Sequence, residues 1–125
     1  MKVLVFGSRT WRDAIAEEHV LDGMYDFHKG DNEPFVIVHG AAQGADEIAD
    51  GFARANGIPR ERYSADWDLY GKAAGAYRNE YMLLHGNPDV AWGFVDKDLL
   101  HSKGSHDMAM KCVAAGVPTY IVQKL

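Results

Sequence analysis

Short unbroken apolar runs alternate along this chain with longer stretches in which apolar residues recur every three or four positions, and glycine-rich polar segments separate the two. The first pattern marks strands buried on both faces, and the second marks amphipathic helices. Val3 to Phe6 is the opening run, ended by Gly7-Ser8-Arg9. Asp13 then stands as an N-cap, and Ala16, Val20, Gly23, Met24 and Phe27 follow at helical spacing to a stop near Lys29-Gly30. After the polar turn from Gly30 to Pro34, Phe35 to Val38 reads as a second strand. Ala45, Ile48, Ala49, Phe52 and Ala53 stripe a second helix, closed by Asn56-Gly57 and Pro59.

The second half repeats the rhythm. Tyr63 to Ala65 is expected as a short third strand with Asp66-Trp67 at its end, and the spacing predicts a third helix from Ala74 to His85. Val90 to Val95 is the fourth strand, with a glycine inside. Ser105 is expected to cap a helix carrying Met108, Ala109, Cys112 and Val113, and Thr119 to Val122 is the last strand. Such alternation specifies an α/β fold with a five-stranded, mainly parallel sheet covered on both faces, in the expected order 3-2-1-4-5. The chain reverses direction beside strand 1 in that order, and ligands of such sheets bind there, outside the carboxyl ends of the strands. The expected crevice gathers the loops at Gly7-Ser8-Arg9, Gly40 to Asp46, Asp66-Trp67 and Asp96 to Gly104.

Composition narrows the partners. One domain over residues 1–125 is expected, long enough to bury a core without disulfides or metals. The single cysteine, Cys112, fits a reducing compartment, and MKVLVFG is too short for a signal core, so a cytoplasmic protein with no membrane span is expected. A net charge of -5 disfavours nucleic-acid backbone as a partner. It leaves room for one local positive crevice, because Arg9, Arg12, Lys72, Arg78 and Lys103 fall in or beside loops.

The loops carry the candidate chemistry. In HGAAQGAD, His39 to Asp46, Gly40 and Gly44 permit positive φ or close approach, and Ala41, Ala42 and Ala45 keep side chains away from the turn's amides. Bare amides at a helix start favour phosphate. An empty strand-to-helix turn fits the spacing equally well, since the motif matches neither dinucleotide nor Walker patterns. Asp46 is suited either to cap those amides or to meet a ribose hydroxyl or an arginine, and His39 to a structural hydrogen bond.

Gly7, Ser8, Arg9 and Thr10 supply flexible backbone, two hydroxyls and a bidentate phosphate grip, against the alternative of a solvated turn. Trp11 suits a helix anchor better than a base stack. Lys72, Arg78 and Asn79 surround small residues at a helix start, where an arginine opposes the helix dipole unless an anion compensates. Ser102, Gly104 and Ser105 form a second small-residue turn, ending at Asp107. No metal-ligand spacing and no G-x-S-x-G is present, so neither a metal nor another cofactor is expected.

Together GSRTW, HGAAQGAD, ADWDLYGKAAGAYRN and SKGSHDM, in this order and spanning nearly the whole chain, resemble the YspA-like, YpsA-related branch of the SLOG superfamily. The resemblance implies a Rossmann-like three-layer sandwich that binds nucleotides or nucleotide-derived ligands, as a sensor or binding module, and a homodimer. Its enzymatic relatives, LOG-type phosphoribohydrolases, cleave the N-glycosidic bond of nucleoside monophosphates. Carried over, Gly40 to Asp46 matches their first glycine turn, Arg78 their arginine, and Gly104-Ser105-His106-Asp107 the G-T-x-E portion of P-G-G-x-G-T-x-x-E.

On that reading the catalytic pair is Arg78, holding phosphate or ribose, and Asp107, stabilising an oxocarbenium-like ribosyl centre. Ser102-Lys103 replaces the family's proline and first glycine, and Asp107 stands at its glutamate. The shorter side chain displaces the carboxylate by about an ångström, a shift worth about 100-fold in rate. Trp11 and Trp67 are the stackable aromatics. DprA-type relatives add a third reading, single-stranded DNA binding, which net acidity disfavours.

Overall fold

The structure, a computed structural model, describes residues 1–124. Five strands, β1 (Lys2–Gly7), β2 (Val36–His39), β3 (Arg60–Arg62), β4 (Val90–Val95) and β5 (Thr119–Gln123), form one sheet in the order β3-β2-β1-β4-β5. All four pairings are parallel, with Val3 opposite Ile37 on one side and opposite Val90 on the other. Helices α1 (Ala14–His28) and α2 (Ala45–Ala55) lie on one face; α4 (Ala74–Gly86) and α5 (Lys103–Ala114) pack together on the other. A single turn, α3 (Trp67–Tyr70), leads through a 3₁₀ turn into α4. This is the expected Rossmann-like α/β sandwich.

The unbroken run in β1 has a direct cause in the two cores. Val3 and Val5 join Trp11, Leu21, Ala49 and Phe52 under α1 and α2, while Leu4 and Phe6 join Met82, Met108, Ala109 and Cys112 under α4 and α5. A strand with a core on each side has no polar positions to alternate. Trp11 is fully buried as the anchor of the first loop, its ring 5.7 Å from Phe94.

Two elements depart from the expected pattern. The third strand is Arg60–Arg62 rather than Tyr63 to Ala65. As an edge strand paired only with β2, it tolerates charge and uses it on both faces. Arg60 reaches Asp50 on α2 at 2.7 Å, and Glu61 meets Lys2 at 2.7 Å on the far side. On α1 the expected Ala16, Val20 and Met24 pack against the core while partly buried, whereas Gly23 and Phe27, placed by periodicity on the same stripe, face solvent. The most deeply buried positions are Glu17 and Leu21, one residue further along. Asp13 caps this helix as expected, accepting from the Ala16 amide at 3.0 Å. Among the described residues no helix is long and apolar enough to cross a membrane.

Candidate functional site

The loops after β1 and β4 diverge at the reversal of the sheet, and short polar contacts pin them together. The Ser8 amide donates to the Phe94 carbonyl at 2.9 Å, the Ser8 hydroxyl accepts from the Asp96 amide at 3.3 Å, and the Thr10 hydroxyl donates to Asp96 at 2.6 Å. Gly7 is required here, since a Cβ would run into the Phe94 carbonyl and the Ala45 methyl. Above this junction opens a crevice of about 500 Å³.

The glycine turn forms one wall, but its first amides point inward. Gly40 and Ala42 both donate to one carboxylate oxygen of Asp46 at 3.1 Å, and Ala41 donates to His39 Nδ1 at 3.0 Å. The expectation of bare amides over residues 40 to 42 is therefore corrected. The Asp46 carboxylate, held in the first turn of α2, satisfies the donors that a phosphate would need, and capping is its observed role. Ala41 adopts φ 57° and Gly44 φ 78°, with the Gly44 Cα pressed against the Ser8 and Arg9 carbonyls. Because His39 Nδ1 accepts, its Nε2–H donates to Asp50 at 2.8 Å, the structural hydrogen bond expected of it. Burial raises Asp46 to about 6, with the turn amides and Arg78 opposing the rise.

Arg78 reaches this wall from the second turn of α4. Its Nη1 donates to the Gly40 and Tyr63 carbonyls, and its Nε donates to Asn79 Oδ1 at 3.0 Å. A Cβ on Gly40 would lie 2.5 Å from that guanidinium, which explains the glycine. The conflict between an arginine and the helix dipole is thus answered by backbone carbonyls, where a bound anion had been expected to answer it. From Asn79 the network continues: its amide donates at 3.0 Å to Asp107, which also accepts from Lys111 at 2.9 Å. Both proposed catalytic residues border the crevice.

The opposite wall is the start of α5. Its N-cap is Ser102, not Ser105, because the helix begins at Lys103, so Ser105 lies in the first turn. Ser105 is only 5% exposed and borders the crevice. The amides of that first turn have no preceding helical carbonyl to meet.

Charge is distributed unevenly. Of thirteen lysines and arginines, seven are ion-paired: Lys2, Lys29, Arg54, Arg60, Arg62, Lys111 and Lys124. Among the described residues the other six have no acidic partner within 4.0 Å, and five of them, Arg9, Lys72, Arg78, Lys97 and Lys103, border the crevice. The sixth, Arg12, clasps the Arg9 and Trp11 carbonyls in the same loop. Arg9 lies 5.2 Å over the Trp67 ring.

Of the candidate site residues singled out in the sequence, all but Trp11, Arg12, His39, Ala41, Gly44 and Asp66 border this crevice. Ala41 and Gly44 shape the turn from behind, and Asp66 caps α3 by accepting from the Leu69 amide at 3.0 Å, facing a separate groove. Thr10, whose hydroxyl was expected at this turn, lines the crevice as well, and Lys97 and His101 line it without having been singled out. Lys97 and His101 lay within the loop assigned to it, but a single charge in a polar loop carries no pattern.

Comparison with known proteins agrees with this architecture. Residues 1–70 match the model of the YspA, cpYpsA-related SLOG family, more than half of the chain. The chain is also 37% identical over 122 residues to the Gene 61 protein of Mycobacterium phage D29, covering 94% of this chain and 92% of that one. The chain belongs to the YspA, cpYpsA-related SLOG family. Arg78 and Asp107 lie beyond the span of the family match.

Proposed function

We propose that this SLOG-family chain binds a nucleotide or nucleotide-derived phosphorylated ligand in the crevice at the reversal of the sheet. The observation that carries the reading is the collection of cations without an acidic partner: in an acidic protein, every lysine and arginine distant from the crevice is ion-paired or clasped by carbonyls, and none of the five around it is ion-paired, although Arg78 holds the Gly40 and Tyr63 carbonyls. Five cations against the carboxylates of Asp46, Asp96 and Asp107 leave the lining with an excess of positive charge, and such a cleft concentrates anions. The phosphate is assigned to the α5 wall, where first-turn amides, the Ser105 hydroxyl, Lys103 and Arg9 border the crevice. The glycine turn shapes the opposite wall, its amides being committed to Asp46.

Thermal unfolding with AMP, GMP, CMP, UMP and inorganic phosphate tests this. A bound ligand at 100 Kd raises stability by roughly 2.7 kcal/mol. Ser105→Ala and Arg9→Ala are each expected to weaken binding by about 10-fold, the loss of one hydrogen bond to a charged group. No shift with any of the five compounds would overturn the proposal.

A second reading, phosphoribohydrolase activity, is favoured by one specific feature. The Asp107 carboxylate stands at the crevice rim, oriented by Asn79 and Lys111. Release of free base from a nucleoside monophosphate, lost by about 100-fold or more in Asp107→Asn, supports it; release unaffected by that substitution removes it.

A further inference from the structure

We propose that a groove on the flank of α4 is a second subsite, built for a neutral aromatic ring carried by the same ligand whose phosphate occupies the crevice. The ligand is then longer than a mononucleotide, with planar groups at both ends of a phosphate-bearing linker. This rests on the nucleotide-binding reading above.

The groove has a volume of about 690 Å³, within the range of small-molecule sites. Four tyrosines line it as two pairs. The Tyr70 and Tyr77 rings lie 4.8 Å apart, and the Tyr63 and Tyr81 rings 5.9 Å apart. Tyr77 and Tyr81 are one helical turn apart on α4 and more than half exposed, so core packing does not account for them. Stacking on such rings is sequence-tolerant recognition, because every base presents a π face. The charges at the rim balance: Arg62 and Arg78 against Asp66 and Glu80. That balance disfavours a second phosphate and fits an uncharged ring.

The link to the crevice lies in α4. Gly75, Ala76 and Asn79 border the crevice, Tyr77 and Tyr81 border the groove, and Arg78 borders both. These are adjacent stripes of one helix, and the ridge between them near its start is low because residues 75 and 76 are glycine and alanine. A Cβ on Gly75 would meet only the Trp67 ring, at 3.5 Å. A linker can cross there without displacing a large side chain.

The test compares AMP and GMP with diadenosine and diguanosine diphosphates by calorimetric titration of the wild type, Tyr77→Ala, Tyr81→Ala and Tyr77→Phe. At least one dinucleotide is expected to bind about 10-fold more tightly than its mononucleotide. Each alanine variant should erase that preference with mononucleotide affinity unchanged, and Tyr77→Phe should keep it. If mononucleotides bind and the dinucleotides bind no better, or the preference survives both alanine variants, this inference falls and the crevice reading stands. If none of the four binds, this inference falls, and the crevice reading falls with it only when CMP, UMP and inorganic phosphate also fail to shift thermal unfolding. Light scattering on the same samples closes the remaining route: an alanine variant that splits a dimer into monomers assigns the groove to a second copy of the chain and overturns the proposal.

Discussion

At the scale of single residues, the most consequential side chain outside the crevice is Glu17. It is fully buried on α1, neither carboxylate oxygen has a partner among the described residues, and burial, with Asp46 and Glu18 nearby, pushes it up to about 9. The folded state therefore holds a proton that the unfolded chain releases near 4.5. Between those values folding takes up a proton, so the stability that Glu17 permits is complete below about 4.5 and is lost as pH rises toward 9. Other groups titrate elsewhere: Asp46 below about 6, His39 below its ordinary 6.5, and Cys112 only near 11. A decline in melting temperature from pH 7 to 9 is thus expected to belong to Glu17. Glu17→Met should flatten it and raise stability at pH 8 by about 1–3 kcal/mol, the cost of burying an unpartnered polar group. Calorimetric melts at four pH values decide the matter, and a variant as pH-sensitive as the wild type contradicts it. Glu17 also shows what residue-scale reading missed on α1: Ala16, Val20 and Met24 pack on the core as expected, but periodicity counts apolar residues, and a protonated glutamate behaves as one only after it is buried.

At the scale of elements, the turn before α2 is held by backbone conformation and one carboxylate. Gly44 sits at φ 78° with its Cα against the Ser8 and Arg9 carbonyls, so Gly44→Ala meets both strain and collision. A loss of about 2–4 kcal/mol is expected in chemical denaturation, with displacement of the loop carrying Arg9. Asp46→Ala frees the Gly40 and Ala42 amides and is expected to cost about 1–3 kcal/mol, whereas Asp46→Asn, which keeps an accepting oxygen, should cost less. Equal losses for the two substitutions would show that the charge, rather than the acceptor, holds the turn. The strands with apolar character on both faces were legible in the sequence because two cores impose a simple pattern. β3 was not: its residues are read by partners distant in the chain, Asp50 on α2 and Lys2 on β1. The inward aim of the glycine turn was equally hidden, since Asp46 sits at the right spacing for capping and for ligand contact alike.

At the scale of the whole molecule, two layers of helices share one sheet, and β1 contributes alternate residues to both cores. Neither core survives loss of that strand, so the chain is expected to unfold as one cooperative unit, which is also the proposal of a single domain. Two of the three tryptophans report on it from different depths, Trp11 fully buried and Trp67 47% exposed at the crevice. Fluorescence and far-ultraviolet circular dichroism should give coincident midpoints, with calorimetric and van't Hoff enthalpies in agreement. The heat-capacity increment for 125 residues should be about 1.5–1.9 kcal/mol/K. Because the crevice draws on the loops after β1, β2 and β4 and on the start of α5, its ligand bridges both halves of the sheet. Added nucleotide should therefore move the whole transition upward as a single step, by an amount set by RT ln(1 + [L]/Kd). A ligand-sensitive phase that separates from a ligand-insensitive one would place the site on one half alone, and would contradict a crevice formed where the two halves of the sheet diverge.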